Sequence, residues 1–420
     1  MKNIWILNHY AGDSFFSKNG RHYSFAHFFE INGYKPTVFC ANSKHESKGH
    51  FFDNSRLYQE YTCDTINVPF VFVKARSYSG NGKARLMNML DFFRNVKLAA
   101  KKYAKENGTP NIIYASSVHP LTLIAGLQLA KHFKVKCICE VRDLWPESIV
   151  VLRPSINRHK LLLKILYYGE RWIYKKADAI VFTMEGGYHY IEDKGWENDV
   201  DKKKVFYVNN GVDLDAFEKH VIEDTIIDED LQNNSVFKVV YTGSIRKANG
   251  LGEIVNCAEL LKNEHGIKFL IYGIGEDLDQ LREICVRKGV NNLMFKGKVE
   301  NRFIPYILSH CNLNLLNYSP EVAKVFKYGS SQNKLFEYLA SGKPILSDTK
   351  IEFSVVDKYR CGINKNISTA EEYADTIIQF YKMDKKNYEA MCENAALAAK
   401  EYNYKSLAEK MLAIVSDLEV

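Results

Sequence analysis

The sequence predicts an α/β chain of two doubly wound domains, and three observations carry that reading. Its 420 residues exceed what one hydrophobic core usually organises. Short β-type runs alternate with helical patterns through the first half, and the same alternation restarts after residue 235. Between the two, residues 209–235 collect turn formers and the acids Glu223, Asp224, Asp228, Glu229 and Asp230, which read as a hinge. The expected division is a first domain over 1–213, a linker over 214–235, a second domain over 236–400, and a last helix within 401–420 that packs back across the domains.

In the first half, residues 4–8 read as a strand and 23–32 as a helix closed by Gly33. Strands follow at 37–40 and 66–73, then a long basic helix at 86–105. Residues 111–115 form a strand ending at Ser116-Ser117, 121–132 a helix, and 136–141 and 179–183 two more strands. In the second half, 238–242 is a strand and 251–263 a helix with Leu251, Ile254, Val255, Ala258 and Leu261 on one face. Strands at 269–272, 293–295, 313–316 and 344–347 follow, with helices between them and a final helix at 404–418. Two such Rossmann-like domains facing a central cleft would place ligands outside the carboxyl ends of their strands.

Composition narrows the class. With 46% hydrophobic and 25% charged residues the chain has the balance of a folded protein rather than a disordered one. The net charge of +7 is mild for this length; it does not point to nucleic acid, and it suits a protein that handles phosphates or rests on an anionic membrane. Ile4-Trp5-Ile6-Leu7 is too short for a signal peptide, and no run approaches the roughly 20 apolar residues of a spanning helix. Nine cysteines lack metal-ligand spacing, Cys137 and Cys139 merely sharing one strand face, so reduced thiols and a cytoplasmic location are expected.

The sharpest local signal is the run from Tyr241 and Thr242 through Gly243-Ser244-Ile245-Arg246-Lys247-Ala248-Asn249-Gly250 into Leu251. A strand enters a glycine-bounded loop with two adjacent cations and then a helix, so free backbone N–H groups and a positive helix end make a diphosphate cradle. The helix end contributes only about 0.3–1 kcal/mol, so Arg246 and Lys247 must add materially. A second element runs from Gly329 through Ser331-Gln332-Asn333-Lys334-Leu335-Phe336-Glu337 to Gly342, with Ser331 or Asn333 as the cap. Lys334 in a first helical turn opposes the dipole unless an anion is bound, and Glu337 lies one turn on, suited to accept from a ribose diol.

In the first half, His119 stands just past a strand, and Glu140-Val141-Arg142-Asp143-Leu144-Trp145-Pro146-Glu147 brings acids, a cation and an aromatic ring to one strand end, a set that suits a sugar. Gly273-Ile274-Gly275 lacks the third glycine of a dinucleotide fingerprint, since Leu278 stands there. Asp213-Leu214-Asp215 and Asp277-Leu278-Asp279 read as helix caps rather than metal ligands, and no metal is expected.

Together these segments resemble the family 4 retaining glycosyltransferases of the GT-B fold, over nearly the whole chain. Asn19-Gly20-Arg21-His22-Tyr23, Ala177-Asp178-Ala179-Ile180-Val181, Asn209-Asn210-Gly211-Val212-Asp213 and Asn333-Lys334-Leu335-Phe336-Glu337-Tyr338 look like family blocks. Residues 140–148 and 247–251 resemble the bacterial surface-polysaccharide branch that includes N-acetylfucosamine transferases. The resemblance implies a metal-independent hexosyltransferase that takes a UDP-sugar, an N-acetylated hexosamine or deoxyhexosamine, and transfers it to a polyprenyl-diphosphate-linked saccharide in O-antigen, capsule or exopolysaccharide synthesis.

The residues and the resemblance together suggest roles. His119 and Asp143 would be catalytic. Gly20, Gly243, Ser244, Arg246, Lys247, Asn249, Gly250 and Lys334 would hold the donor diphosphate. Gly273, Gly297, Val299, Asn333, Leu335 and Glu337 would hold the nucleoside, and Arg21, Arg142, Trp145 and Glu147 the acceptor or sugar. Two departures stand out: Gly329 replaces the first Glu of the family's E-x7-E motif, and Ser244 and Asn249 align with its phosphate-loop Arg and Lys. The basic, apolar-interleaved stretches 83–105 and 157–176 suit peripheral contact with an anionic membrane. A nucleotide-sugar 2-epimerase of the same fold, or a non-catalytic nucleotide-sugar-binding subunit, are the alternatives; the first would turn over without acceptor, the second not at all.

Overall fold

The computed structural model describes residues 1–44, 49–80, 82–152 and 154–418. The chain forms two compact units, Met1–Asn209 with Tyr404–Val420, and Asn210–Asn403.

Unit 1 is built on β1 (Lys2–Leu7), β2 (Tyr34–Ala41), β3 (Tyr58–Thr62), β4 (Pro69–Val73), β5 (Ile112–Ser116), β6 (Lys136–Val141), β7 (Ala179–Phe182) and β8 (Val205–Tyr207). They form one sheet in the order β3-β4-β2-β1-β5-β6-β7-β8, parallel except for the β3–β4 pair. Ile4 to Leu7 are all buried, the continuous apolar run of a strand covered on both faces. The edge strand β3 (Tyr-Gln-Glu-Tyr-Thr) escapes the sequence reading because its solvent-facing, polar pattern carries no such run. The strand order turns back between β1 and β5, the switch point where ligands of such sheets bind. The Tyr404–Leu418 helix also belongs to this unit: it buries Tyr404, Leu407, Ala408, Met411, Ile414 and Val415 and packs on the Arg21–Ile31 helix, with Tyr404 edge-on to Phe25 at 6.3 Å.

Unit 2 is built on β9 (Phe237–Thr242), β10 (Ile267–Tyr272), β11 (Leu293–Gly297), β12 (Leu313–Leu316), β13 (Ile345–Ser347) and β14 (Gly362–Asn364). Its parallel sheet has the order β11-β10-β9-β12-β13-β14, with the switch point between β9 and β12. On one face, the Leu251–Leu260, Leu278–Lys288 and Ala370–Tyr381 helices bury Ile254, Val255, Leu281 and Ile377 against Val239 and Phe269. Residues 214–235 lie inside this unit as the Leu214–Glu223 and Glu229–Gln232 helices. Two of their acids are engaged: Asp228 caps the second helix, accepts from Tyr272 at 2.8 Å and pairs with Lys296, while Asp230 pairs with Lys296 and Lys268.

All nine cysteines are free, with Cys137 and Cys139 buried side by side in β6, their sulfurs 4.0 Å apart. Among the described residues no His, Cys, Asp or Glu cluster is arranged to hold a metal, and no helix is long and apolar enough to cross a membrane.

Candidate functional site

In unit 2, the loops that leave β9, β10 and β11 are joined backbone to backbone. The Gly243 N–H donates to Tyr272 O (3.0 Å), Ile245 N–H to Ile274 O (2.9 Å) and Gly273 N–H to Gly297 O (2.7 Å). A Cβ on Gly273 would sit 1.8 Å from the Gly243 carbonyl oxygen, and one on Gly275 2.1 Å from that of Ile245. The glycines of the incomplete dinucleotide motif therefore serve this close approach. Asn249 Nδ2 closes the Gly243–Gly250 loop by donating to Ser244 O (2.7 Å) and Oγ (3.1 Å), and Gly250, at φ +60°, starts the Leu251–Leu260 helix. Arg246 and Lys247 are exposed on this loop and, among the described residues, form no ion pair.

Lys334 reaches the same loop from the Asn333–Ala340 helix. Its ammonium lies 3.3 Å from the Tyr241 hydroxyl, 4.6 Å above that ring and 3.6 Å from where a Gly243 Cβ would stand. Burial lowers it to about 8, with Asp348 and Glu337 pulling it back up. Burial likewise pushes the Glu337 carboxyl up to about 7 against the pull of Lys334, and that carboxylate has no hydrogen-bond or ion-pair partner among the described residues. Asp348, at the end of β13, is also raised to about 7 by burial, although Asn317 (2.7 Å) and the Tyr318 N–H (3.1 Å) donate to it. Lys334, Glu337 and Asp348 thus make a group of desolvated titratable side chains, an arrangement that ligand sites often share. A pocket of 780 Å³ opens beside the loop, lined among others by Lys247, Gly250, Tyr318 and Asp348.

Some expected contacts of unit 2 are placed differently. Gln332, not Ser331 or Asn333, takes the N-cap position; it makes no cap bond, and its Oε1 is buried without a partner. Asn333 instead accepts from Asn210 Nδ2 at 2.9 Å, which also donates to Ser331 O. The Leu335 side chain is packed into the core, so only its backbone is available to a nucleoside. Gly297 (φ +77°) and half-buried Val299 lie at and just past the end of β11. Asp213 does cap its helix, accepting from the Ala216 N–H, whereas Asp277 makes no cap bond.

In unit 1, His119 occupies the N-cap position of the Pro120–Phe133 helix just beyond β5 and is 1% exposed. Its Nε2 lies 2.7 Å from Nδ1 of His9, which follows β1 and stacks on Phe92 at 4.5 Å. Burial, helped by Arg85, lowers the His119 imidazole to about 3, so the ring is neutral at ordinary pH. Its Nδ1 is buried without a partner.

Beneath this pair lies a buried ionic network. Glu140 accepts from Arg21 Nε (2.8 Å), Ser116 (2.7 Å) and Tyr114 (2.5 Å). Burial pushes its carboxyl up, but Arg21, His22 and Arg142 hold it down at about 2. Arg21, expected to meet the acceptor or sugar, is 3% exposed: its guanidinium also donates to the Asn209 and Val208 carbonyls and lies over Phe25, so it is an internal anchor. Glu147 is likewise taken up, by Lys194 and the Tyr167 hydroxyl (2.7 Å). Arg142 and Asp143, past β6, have side chains without a hydrogen-bond or ion-pair partner among the described residues, and half-buried Trp145 precedes a cis proline. Gly20 starts the Arg21–Ile31 helix at φ +98°, its N–H taken by Asn19 Oδ1 (2.6 Å).

The sequence reading gives no role to Tyr241, although it opens the loop motif, nor to Asp348 or His9; each sits at or next to the carboxyl end of a strand, which is the signal that would have found them.

Residues 23–216 match the family model Glycosyltransferase Family 4, and residues 236–383 match Glycosyl transferases group 1. A curated relative, the uncharacterized glycosyltransferase MJ1069 of Methanocaldococcus jannaschii, is 24% identical over 266 residues, 59% of this chain; the match spans 64% of that relative's length. Among solved structures, a glycosyltransferase from Rickettsia africae superposes with a TM-score of 0.66 at 14% identity, covering 99% of this chain and 98% of that one. HepE of Anabaena, crystallised with UDP, gives 0.64 at 14% identity over 99% and 100%. An α,α-trehalose 6-phosphate synthase from Burkholderia multivorans gives 0.69 at 12% identity over 99% and 98%. At these identities the likeness establishes the fold, GT-B.

Proposed function

We propose that this chain, whose two halves match a family 4 and a group 1 glycosyltransferase model on a GT-B fold, moves a sugar from a UDP-sugar to a lipid-linked saccharide with retention of configuration. The observation that carries the reading is the glycine-built loop at the end of β9 meeting Lys334, with an unpartnered Glu337 one turn beyond. In this reading the loop and Lys334, with Arg246 and Lys247, hold the donor diphosphate, and Glu337 takes the ribose diol. The bond from the anomeric carbon to the diphosphate oxygen breaks as the acceptor oxygen attacks from the same face. The acceptor's proton passes to the departing diphosphate, whose charge the cations and backbone N–H groups stabilise, so no metal is required. His119 and Asp143 orient the sugars.

The proposed donor is an N-acetylated hexosamine or deoxyhexosamine, and the proposed acceptor a polyprenyl-diphosphate-linked glycan of a surface polysaccharide, met at the inner face of the membrane. Thermal shift against nucleoside diphosphates and their sugars, without added metal, tests the donor half. Stabilisation by UDP and one UDP-sugar is expected; silence towards every nucleotide would overturn the phosphate-loop assignment.

A further inference from the structure

The Lys160–Lys176 helix is apolar on two sides. One side turns inward, where Glu170, Ile173 and Tyr174 are buried. On the other, Leu161 is 74% exposed, Ile165 59% and Tyr168 71%, with half-buried Trp172 four residues on. The spacing i, i+4, i+7, i+11 puts these four side chains in one outward stripe about three turns long. A solvated helix face has no use for such a stripe. The exposed Leu86 and Leu98 of the Lys83–Asn107 helix, twelve residues apart, make no comparable row.

The exposed charges of the helix itself all have one sign. Lys160, Lys164 and Lys176 form no ion pair among the described residues, while Arg171 and Lys175 share Asp199. The helix's single acid, Glu170, is buried and takes hydrogen bonds from Tyr174 and Tyr190. We propose that this outward face docks on an anionic lipid bilayer. Leucine and isoleucine would enter the acyl boundary, the Tyr168 and Trp172 rings sit at headgroup level, and the lysines meet lipid phosphates. The proposal rests on the reading of a membrane-borne acceptor and names the surface that brings the enzyme to it.

Flotation with phosphatidylcholine vesicles, with and without phosphatidylglycerol, tests it on the full chain. Wild type is expected to bind only the anionic vesicles, and less at high salt. Ile165→Asp and Lys164→Glu are each expected to lower the bound-to-free ratio by about tenfold, with melting temperature and UDP response unchanged. Variants that float like wild type would overturn the assignment of this face. Wild type that fails to float yet responds to UDP would overturn the membrane docking and leave the donor reading standing. A dimer in light scattering that Ile165→Asp dissolves would give the stripe to a second copy of the chain, and equally overturn the proposal.

Discussion

His9 and His119 share a hydrogen bond of 2.7 Å, Nδ1 to Nε2, where β1 and β5 end at the switch point of unit 1. One proton lies between two rings, so the tautomer of one fixes that of the other, and the Nδ1 of His119 is buried without a hydrogen-bond partner. His119→Ala is expected to lower kcat by about 100-fold or more while leaving UDP affinity nearly unchanged. His9→Phe keeps the stacking on Phe92 but removes the hydrogen bond, and should lower kcat by a smaller factor. Turnover unchanged in both would end the catalytic reading of this pair.

Lys334 titrates at about 8 in the free protein, and a bound diphosphate would raise that value. Binding above that point must then take up a proton, so UDP affinity falls with rising pH by up to about tenfold per unit. Lys334→Met should weaken UDP by about 10–100-fold, the worth of a charge-assisted hydrogen bond, and flatten this pH dependence. Calorimetry in buffers of different ionisation enthalpy reads the proton directly. A steep pH profile in the methionine variant would locate the titration elsewhere.

Glu140→Gln leaves the Arg21 guanidinium buried beside a neutral partner. The expected cost is about 3–5 kcal/mol in urea unfolding, as for other buried pairs broken on one side. A loss below about 1 kcal/mol, the value of a surface pair, would mean that Arg21 finds water.

Glu170 is raised to about 8 by burial, although Tyr190 and Tyr174 donate to it. Folded, it keeps its proton up to that pH; unfolded, it releases it near 4.5. Its contribution to stability therefore falls as pH rises through that window. Glu170→Gln, which preserves the shape, should match wild type near pH 4.5 and exceed it by ~2 kcal/mol or more at pH 8. Parallel stability curves for the two proteins would refute this.

Where a segment is a continuous buried run, its sequence shows it: β6 and β12 fall on the residues expected of them, as does the Tyr404–Leu418 helix. What was missed depends on partners far away in the chain. The acids of 223–230 look like a hinge until Lys268 and Lys296 are seen to pair with Asp230 and Asp228. Arg21 looks available for a ligand until Glu140, 119 residues later, closes on it. His119 looks solitary because His9 lies 110 residues earlier. Local pattern reports burial and caps; it does not report which charges meet.

The chain leaves unit 1 after Asn209 and returns to it at Tyr404. On the ribosome, the face of the Arg21–Ile31 helix that the Tyr404–Leu418 helix covers must therefore wait, bare, until nearly two hundred intervening residues have been made. The first unit to begin synthesis is the last to be finished. A stop codon or protease cut near residue 403 would strip the cover from unit 1 while leaving unit 2 whole.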